Sequence, residues 1–412
     1  MTSTPGGDTE LLLAERTRLL HIGPFKTGTT SLQTVARVMR PELLRHGVRY
    51  PGATFNQRVA VSAFQRRGLG WNGDGSVGPP PSYRHWWLLK REIEADHERR
   101  ILLGHEYVST ADDATIARWV DELGPRLHVV ITLRAFGRML PSLWQERLKR
   151  NARRESFERW LKGVLKPEHA GYDRRQLSFD HAGLIRRWAA AAGPDRVTVI
   201  ALDPNDHSFL FHRFEDLLGL PRDLLAAAPG TDDVTNRGLT VPEAELFRQL
   251  NRRTTELGLE WANHEWLNYY GALSRVVGYR RPGPDEPRLR LPRWALKPAL
   301  QHECGVVDAI GATGVRLVGS ADHLVSADRT PKQDYVHHAK VDAIPIDLAV
   351  EALIGVLAAA TGRDAAFDRT APAVVRKART EMASNTAPSV GATARRVRDE
   401  VAKRLPGNPV TR

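Results

Sequence analysis

Residues Arg18 to Ile22 (RLLHI) form a short apolar run that stops at Gly23-Pro24. Phe25, Lys26, Thr27, Gly28, Thr29 and Thr30 follow, and then Ser31 to Met39, where Leu32, Val35, Ala36 and Met39 fall on one helical face. The order is buried strand, glycine-bearing loop, helix. That order suits a phosphate cradle: glycines let backbone N–H groups close on phosphate oxygens, and the helix N-terminus turns the positive end of its dipole toward them. Thr29 and Thr30 can donate hydroxyl hydrogen bonds from the first turn of the helix. A nucleoside-triphosphate loop of the usual kind places lysine directly after the second glycine. Here that position is Thr29, and the lysine lies inside the loop as Lys26.

Further apolar, β-branched runs recur at Ile101 to Gly104, Leu127 to Leu133 and Arg196 to Leu202, with GVRLVG (314–319) as a late candidate strand. Helical periodicity lies between them, over Arg84 to Arg99, Asp112 to Leu123, a basic stretch that follows Leu133 to about Arg150, and Phe179 to Ala191. The alternation predicts an α/β fold of three layers, P-loop-like, with a central parallel sheet flanked by helices. After Leu220 helices dominate, over Pro242 to Leu257 and Glu260 to Tyr269, so the C-terminal part is read as mostly helical. Residues 1–16 read as a loose leader or a short helix and 17–340 as the main domain. Residues 341–412 read as a helix followed by a basic tail. The Gly- and Pro-rich stretch 51–82 reads as a long surface loop or lid. The stretches 51–87 and after 255 are the places expected to receive an acceptor.

The run from Leu127 delivers Arg134 at a strand end, and Ser142 follows eight residues later. Ligands of open α/β sheets bind at the carboxyl ends of the strands. Arg134 and Ser142 therefore belong on the same edge as Lys26, where they suit a second phosphate group. His105 and Glu106 follow the strand 101–104 on that edge. Glu106 is the candidate base, with an ion-pair or capping role as its alternative. His105 is the rival, and His85 a third candidate. Trp86 and Trp87 are expected to pack into a core.

The Lys-x-Gly-Thr-Thr loop and the Arg-then-Ser pair resemble the two cofactor motifs of the sulfotransferases. Further likeness lies in Tyr172 and LIRRW (184–188), RVTVIALD (196–203), DLLGLP (216–221) and VTNRGLTVPEAELFRQLN (234–251). It spans roughly 17–255 and continues weakly at 314–324. The resemblance implies a co-substrate, 3′-phosphoadenosine 5′-phosphosulfate, with adenosine 3′,5′-bisphosphate as product and no metal. The loop Lys26 to Ser31 would hold the 5′-phosphosulfate, Arg134 and Ser142 the 3′-phosphate, with Arg237 and Gly238 on a closing loop. Lys26 would also be catalytic, beside Glu106 or His105. The acceptor would be a hydroxyl or amine of a carbohydrate or small metabolite. Two departures touch the second motif: Ala135-Phe136 stand where many members have Asp-Pro, and Pro141 precedes Ser142, so the helix there is expected to start late or kink.

A net charge of +12 calls for anionic partners without choosing among them. The single cysteine, Cys304, excludes a disulfide framework and a cysteine zinc site, and the histidines show no His-Glu-x-x-His spacing. No structural metal is expected. The first ten residues carry no secretory pattern, and Leu348 to Ala360 reads as a buried helix too short to span a bilayer. A cytoplasmic location is expected. Two other classes share some of these features. A small-molecule kinase would use Asp203 for a metal ion, against the displaced lysine. A nucleic-acid binder would use RLKRNARR (147–154) and the basic tail 395–404, although no reader motif is present, so nucleic acid is not expected as a partner.

Overall fold

The computed structural model describes residues 11–54, 56–70, 77–150, 154–169, 176–228, 237–326 and 341–361. Six strands form one all-parallel sheet: β1 (Arg18–Ile22), β2 (Val48–Arg49), β3 (Arg100–Gly104), β4 (Leu127–Leu133), β5 (Val197–Ala201) and β6 (Arg316–Val318). Their order is β2-β3-β1-β4-β5-β6, which puts β1 in the middle with β3 and β4 beside it. In-register pairs such as Leu20↔Leu103 and Leu20↔Val129 align the carboxyl ends of all three. Gly23, His105 and Arg134 therefore leave the sheet at one edge.

Side chains alternate along each strand, so the apolar runs feed two cores. One face sends Leu20, Ile22, Ile101, Leu103, Val129 and Ile131 into a core with helices α3 (Arg58–Gln65), α4 (Arg84–Ala95), α5 (Asp113–Leu123) and α9 (His181–Ala192). The opposite face sends Leu19, Leu102, Val130 and Ile200 against α1 (Thr29–Val38), α2 (Arg40–Arg45) and α10 (Phe209–Leu218). The three-layer α/β architecture follows directly. A third apolar cluster, all helical, joins α6 (Phe136–Arg150), α7 (Phe157–Leu165), α11 (Val241–Glu256), α13 (Ser274–Tyr279) and α15 (Ile346–Thr361). The short α8 (Gln176–Phe179) and α12 (Trp261–His264) and the long α14 (Arg293–Thr313) complete the described α-helices, and a π-helical stretch, Glu265–Leu273, joins α12 to α13. Among the described residues no helix is long and apolar enough to cross a membrane.

Several expectations change here. The stretch 51–82 is not one long surface loop: α3 occupies its centre and buries Val61, Ser62 and Phe64. Phe64 packs with tilted rings against Trp86 and Trp119, the ring centroids 4.8 and 4.2 Å apart, so this segment is core. Residues 71–76 of it lie outside the described residues. Trp86 is buried as expected and donates to Glu122. Trp87 is instead exposed, with the Arg91 guanidinium over its ring. The segment 11–16 is docked: Leu13 is buried, and its backbone N–H donates to Leu217 O at 3.0 Å. Helix α6 starts at Phe136 and continues through Pro141, neither late nor interrupted. Helix α15 buries only one face; Ile346, Leu353 and Leu357 are exposed. Tyr172, the segment 234–236 and the tail 362–412 lie outside the described residues.

Candidate functional site

The loop after β1 is closed by its own hydroxyls. Thr27 Oγ1 donates to Pro24 O at 2.7 Å, and Thr29 Oγ1 donates to Gly23 O at 3.2 Å. Because Thr27 spends its proton on Pro24, it accepts from Thr132 Oγ1 on β4 at 3.1 Å. Thr132 in turn accepts from His21 Nε2 at 3.0 Å. Burial depresses the His21 pKa to about 3, so the ring is neutral and its proton sits on Nε2. The chain His21–Thr132–Thr27–Pro24 thus runs in one direction, every buried donor used. Gly23 lies so close that a Cβ there would stand 2.1 Å from Thr29 Oγ1 and 2.8 Å from Thr132 Oγ1.

Gly28, in the left-handed region at φ 84°, caps α1 without a side-chain bond, and the first turn holds no acidic residue. The first four N–H groups of a helix have no partner within it. Here they face the sheet edge beside exposed Thr30 and Ser31, an arrangement that receives anions. Lys26 has φ 73°, a left-handed conformation that costs a non-glycine residue about 1 kcal/mol or more and recurs at ligand loops. Its ammonium reaches Glu146 Oε2 on α6, 2.9 Å away.

Arg134, just past β4, donates from Nη1 to Lys26 O at 3.5 Å, so the two motifs meet. Arg138, Ser142 and Glu146 follow at four-residue intervals, which places them on one face of α6. Arg134, Arg138 and Ser142 are exposed. Although the residue as a whole is open to solvent, its guanidinium is partly desolvated where it meets Lys26 O, and this desolvation first, then the neighbouring Arg138 charge, lowers the Arg134 pKa. Among the described residues no carboxylate pairs with either arginine, and two like charges so placed favour an anion between them. The N-terminus of α6 is held by buried Glu303 of α14. Its carboxylate accepts from Gly137 N at 2.8 Å, Ser326 N at 2.7 Å and Ser326 Oγ at 2.6 Å.

Gly104 delivers His105 and Glu106 from β3. Gln57, at the start of α3, accepts from Gly104 N at 2.8 Å and fixes this turn. His105 Nδ1 accepts from Tyr107 N at 3.2 Å, so the neutral ring carries its proton on Nε2, which lies 3.3 Å from Glu106 Oε2. Burial first, then the charges of Arg58 and Arg67, lower the His105 pKa to about 3. His105 is buried and occupied by backbone; Glu106 is half-buried at the edge. Arg67 stacks over Tyr107 at 4.0 Å, closing the far side of this turn.

The sheet edge therefore brings together the loop Lys26 to Ser31, Arg134, Ser142, His105 and Glu106. Arg237 is turned away: its guanidinium makes paired bonds of 2.7 and 2.8 Å to buried Glu243. Gly238 O accepts from Arg288, and the next residue, Leu239, is clamped to α6 by Gln145 through bonds of 2.9 and 3.1 Å. His85 is exposed in the first turn of α4. Asp203 accepts from Asn205 N at 2.8 Å, capping the turn after β5. Among the described residues no group of three or more His, Cys, Asp or Glu could hold a metal ion. Arg138, Glu146, Gln57 and Glu303 escaped the sequence reading. The first was findable, since it shares the helical spacing of Ser142; the others act across long sequence separations.

No family model matches the chain, and no curated protein matches it. Among solved structures, it is similar to a sulfotransferase from Alicyclobacillus acidocaldarius, with 18% sequence identity and a TM-score of 0.37. The similarity covers 59% of this chain and 95% of that one.

Proposed function

We propose that the chain is a sulfotransferase. It moves a sulfuryl group from 3′-phosphoadenosine 5′-phosphosulfate to a hydroxyl or amine of a carbohydrate or small metabolite. One juxtaposition carries this reading: the Lys26 loop after β1 touches Arg134 after β4, and α6 extends that contact through Arg138 and Ser142. Two anion-receiving groups on neighbouring strands suit the two phosphates of a single nucleotide. The Gly28–Ser31 turn would take the 5′-phosphosulfate, and Arg134, Arg138 and Ser142 the 3′-phosphate.

In the transfer the acceptor oxygen or nitrogen bonds to sulfur as the bond from sulfur to the bridging phosphate oxygen breaks. The acceptor proton passes to Glu106, and the charge left on the phosphate is met by Lys26 and the N–H groups of α1. Glu106 is favoured over His105 because the only free-proton site of that ring already carries hydrogen and its other nitrogen is bonded to backbone. His105 is then a donor that orients the carboxylate.

Calorimetry in EDTA with adenosine 3′,5′-bisphosphate, AMP and ATP tests the reading. The bisphosphate should bind most tightly, and Arg134→Ala should weaken it about 10-fold or more while leaving AMP unchanged, the scale of a charge-assisted bond. Equal or tighter ATP binding, or a need for Mg²⁺, would replace this reading with phosphoryl transfer.

A further inference from the structure

We propose that Glu146 is a positioning residue for Lys26. It holds the ammonium while the loop carries no anion and competes with the 5′-phosphate group when one arrives. The inference rests on the sulfuryl-transfer reading above and adds a control on it. The contact runs from Lys26 Nζ to Glu146 Oε2 at 2.9 Å and spans 120 residues of sequence, from the loop after β1 to the second half of α6. It is long-range, and the loop adopts the unfavourable φ of 73° at Lys26 itself. The chain thus spends backbone energy to send this side chain across the edge to α6.

The face of α6 reads, from its start, Arg138, Ser142, Glu146, with Arg134 just before it. Two cations and a hydroxyl precede a carboxylate, and the carboxylate stands where the lysine arrives. The side chains of Lys26 and Glu146 are 29% and 34% exposed. An ion pair of that exposure is weak and exchangeable, so a phosphate of higher charge can take the lysine. A carboxylate bonded to the same ammonium also repels any anion that ammonium contacts. Glu146 therefore lowers affinity for the 5′ group of both donor and product, and it acts on that group rather than on the 3′-phosphate beside Arg134. A site so built keeps its lysine aimed when empty and releases its product bisphosphate more readily.

The test is a set of dissociation constants in EDTA for adenosine 3′,5′-bisphosphate and adenosine 3′-monophosphate. They would be measured on the unaltered chain, Glu146→Gln, Lys26→Met and the double variant, with thermal melting to establish that each is folded. Glu146→Gln should bind the bisphosphate about fivefold more tightly, the scale of a partly exposed pair, and the 3′-monophosphate no differently. In the Lys26→Met background the gain should vanish. Glu146→Asp, which keeps the charge, should stay close to the unaltered chain. Unchanged or weaker bisphosphate binding by folded Glu146→Gln overturns the inference, as does a gain that survives Lys26→Met or extends equally to the 3′-monophosphate. If the unaltered chain binds no bisphosphate, the sulfuryl-transfer reading falls first and this inference with it.

Discussion

Glu303→Gln should cost the protein several kcal/mol and loosen the site from a distance. The carboxylate is buried on α14 and accepts three hydrogen bonds, from Gly137 N at the start of α6 and from the backbone and hydroxyl of Ser326. Glutamine has the same shape but one acceptor oxygen. In either amide orientation a backbone N–H, the buried one of Gly137 or the partly buried one of Ser326, then faces an NH₂ group. A buried donor left without an acceptor costs about 1–3 kcal/mol. Neutralising the acceptor also weakens the remaining bonds, by roughly half of their charge-assisted strength, and removes a negative charge from the positive end of α6. Together these give about 3–5 kcal/mol. Ser326→Ala, which removes only the hydroxyl bond, should cost about 1 kcal/mol. Guanidinium unfolding at neutral pH measures both. Because α6 carries Arg138 and Ser142, bisphosphate affinity should fall in Glu303→Gln as well. A folded Glu303→Gln within about 1 kcal/mol of the unaltered chain would refute the idea that this carboxylate anchors the helix.

Glu106→Gln should lower turnover with any working acceptor by about 10²–10⁴-fold while leaving bisphosphate affinity unchanged; single-turnover assays and calorimetry separate the two, and a variant that keeps most of its activity removes Glu106 as base. Acid should destabilise the fold well before carboxylates titrate. His21 and His105 are held neutral at pKa values of about 3, and His128 at about 4, all chiefly by burial, whereas the unfolded chain takes up these protons near 6.5. The unfolded state binds more protons between those limits, so stability is full above 6.5 and falls as pH drops toward the folded values. The fall is about 1.4 kcal/mol per pH unit for each ring. Denaturation midpoints measured from pH 8 to 5 should fall steeply below 6.5, and a flat profile would refute the burial of these rings.

The parts of this fold that could be read from the sequence are those whose cause is local. β1, its glycine loop and α1 were legible because strand burial, turn chemistry and helical period act within about twenty residues of one another. The strand ends at Gly104 and Leu133 were legible for the same reason, and a parallel sheet then brings their following residues to one edge without further information. What stayed hidden is set by partners far away in sequence. Helix α3 sits among Gly- and Pro-rich neighbours, and its apolar face gains meaning only from Trp86 and Trp119. Arg237 carried a plausible signature for the closing loop, yet its guanidinium is committed to Glu243, which a second arginine, Arg280, also engages at 2.9 Å. Side-chain commitment of that kind leaves no mark in spacing.

The same distinction explains the two carboxylates nearest the candidate chemistry. Glu106 was visible because a strand end announces it. Glu146 was not, because nothing local sets it apart from any other acidic residue on a basic helix. It matters only because the strand order places α6 next to the loop after β1, and because Lys26 is bent left-handed toward it. A residue's chemistry is readable from sequence when its element aims it. When a neighbouring element does the aiming, the topology must come first.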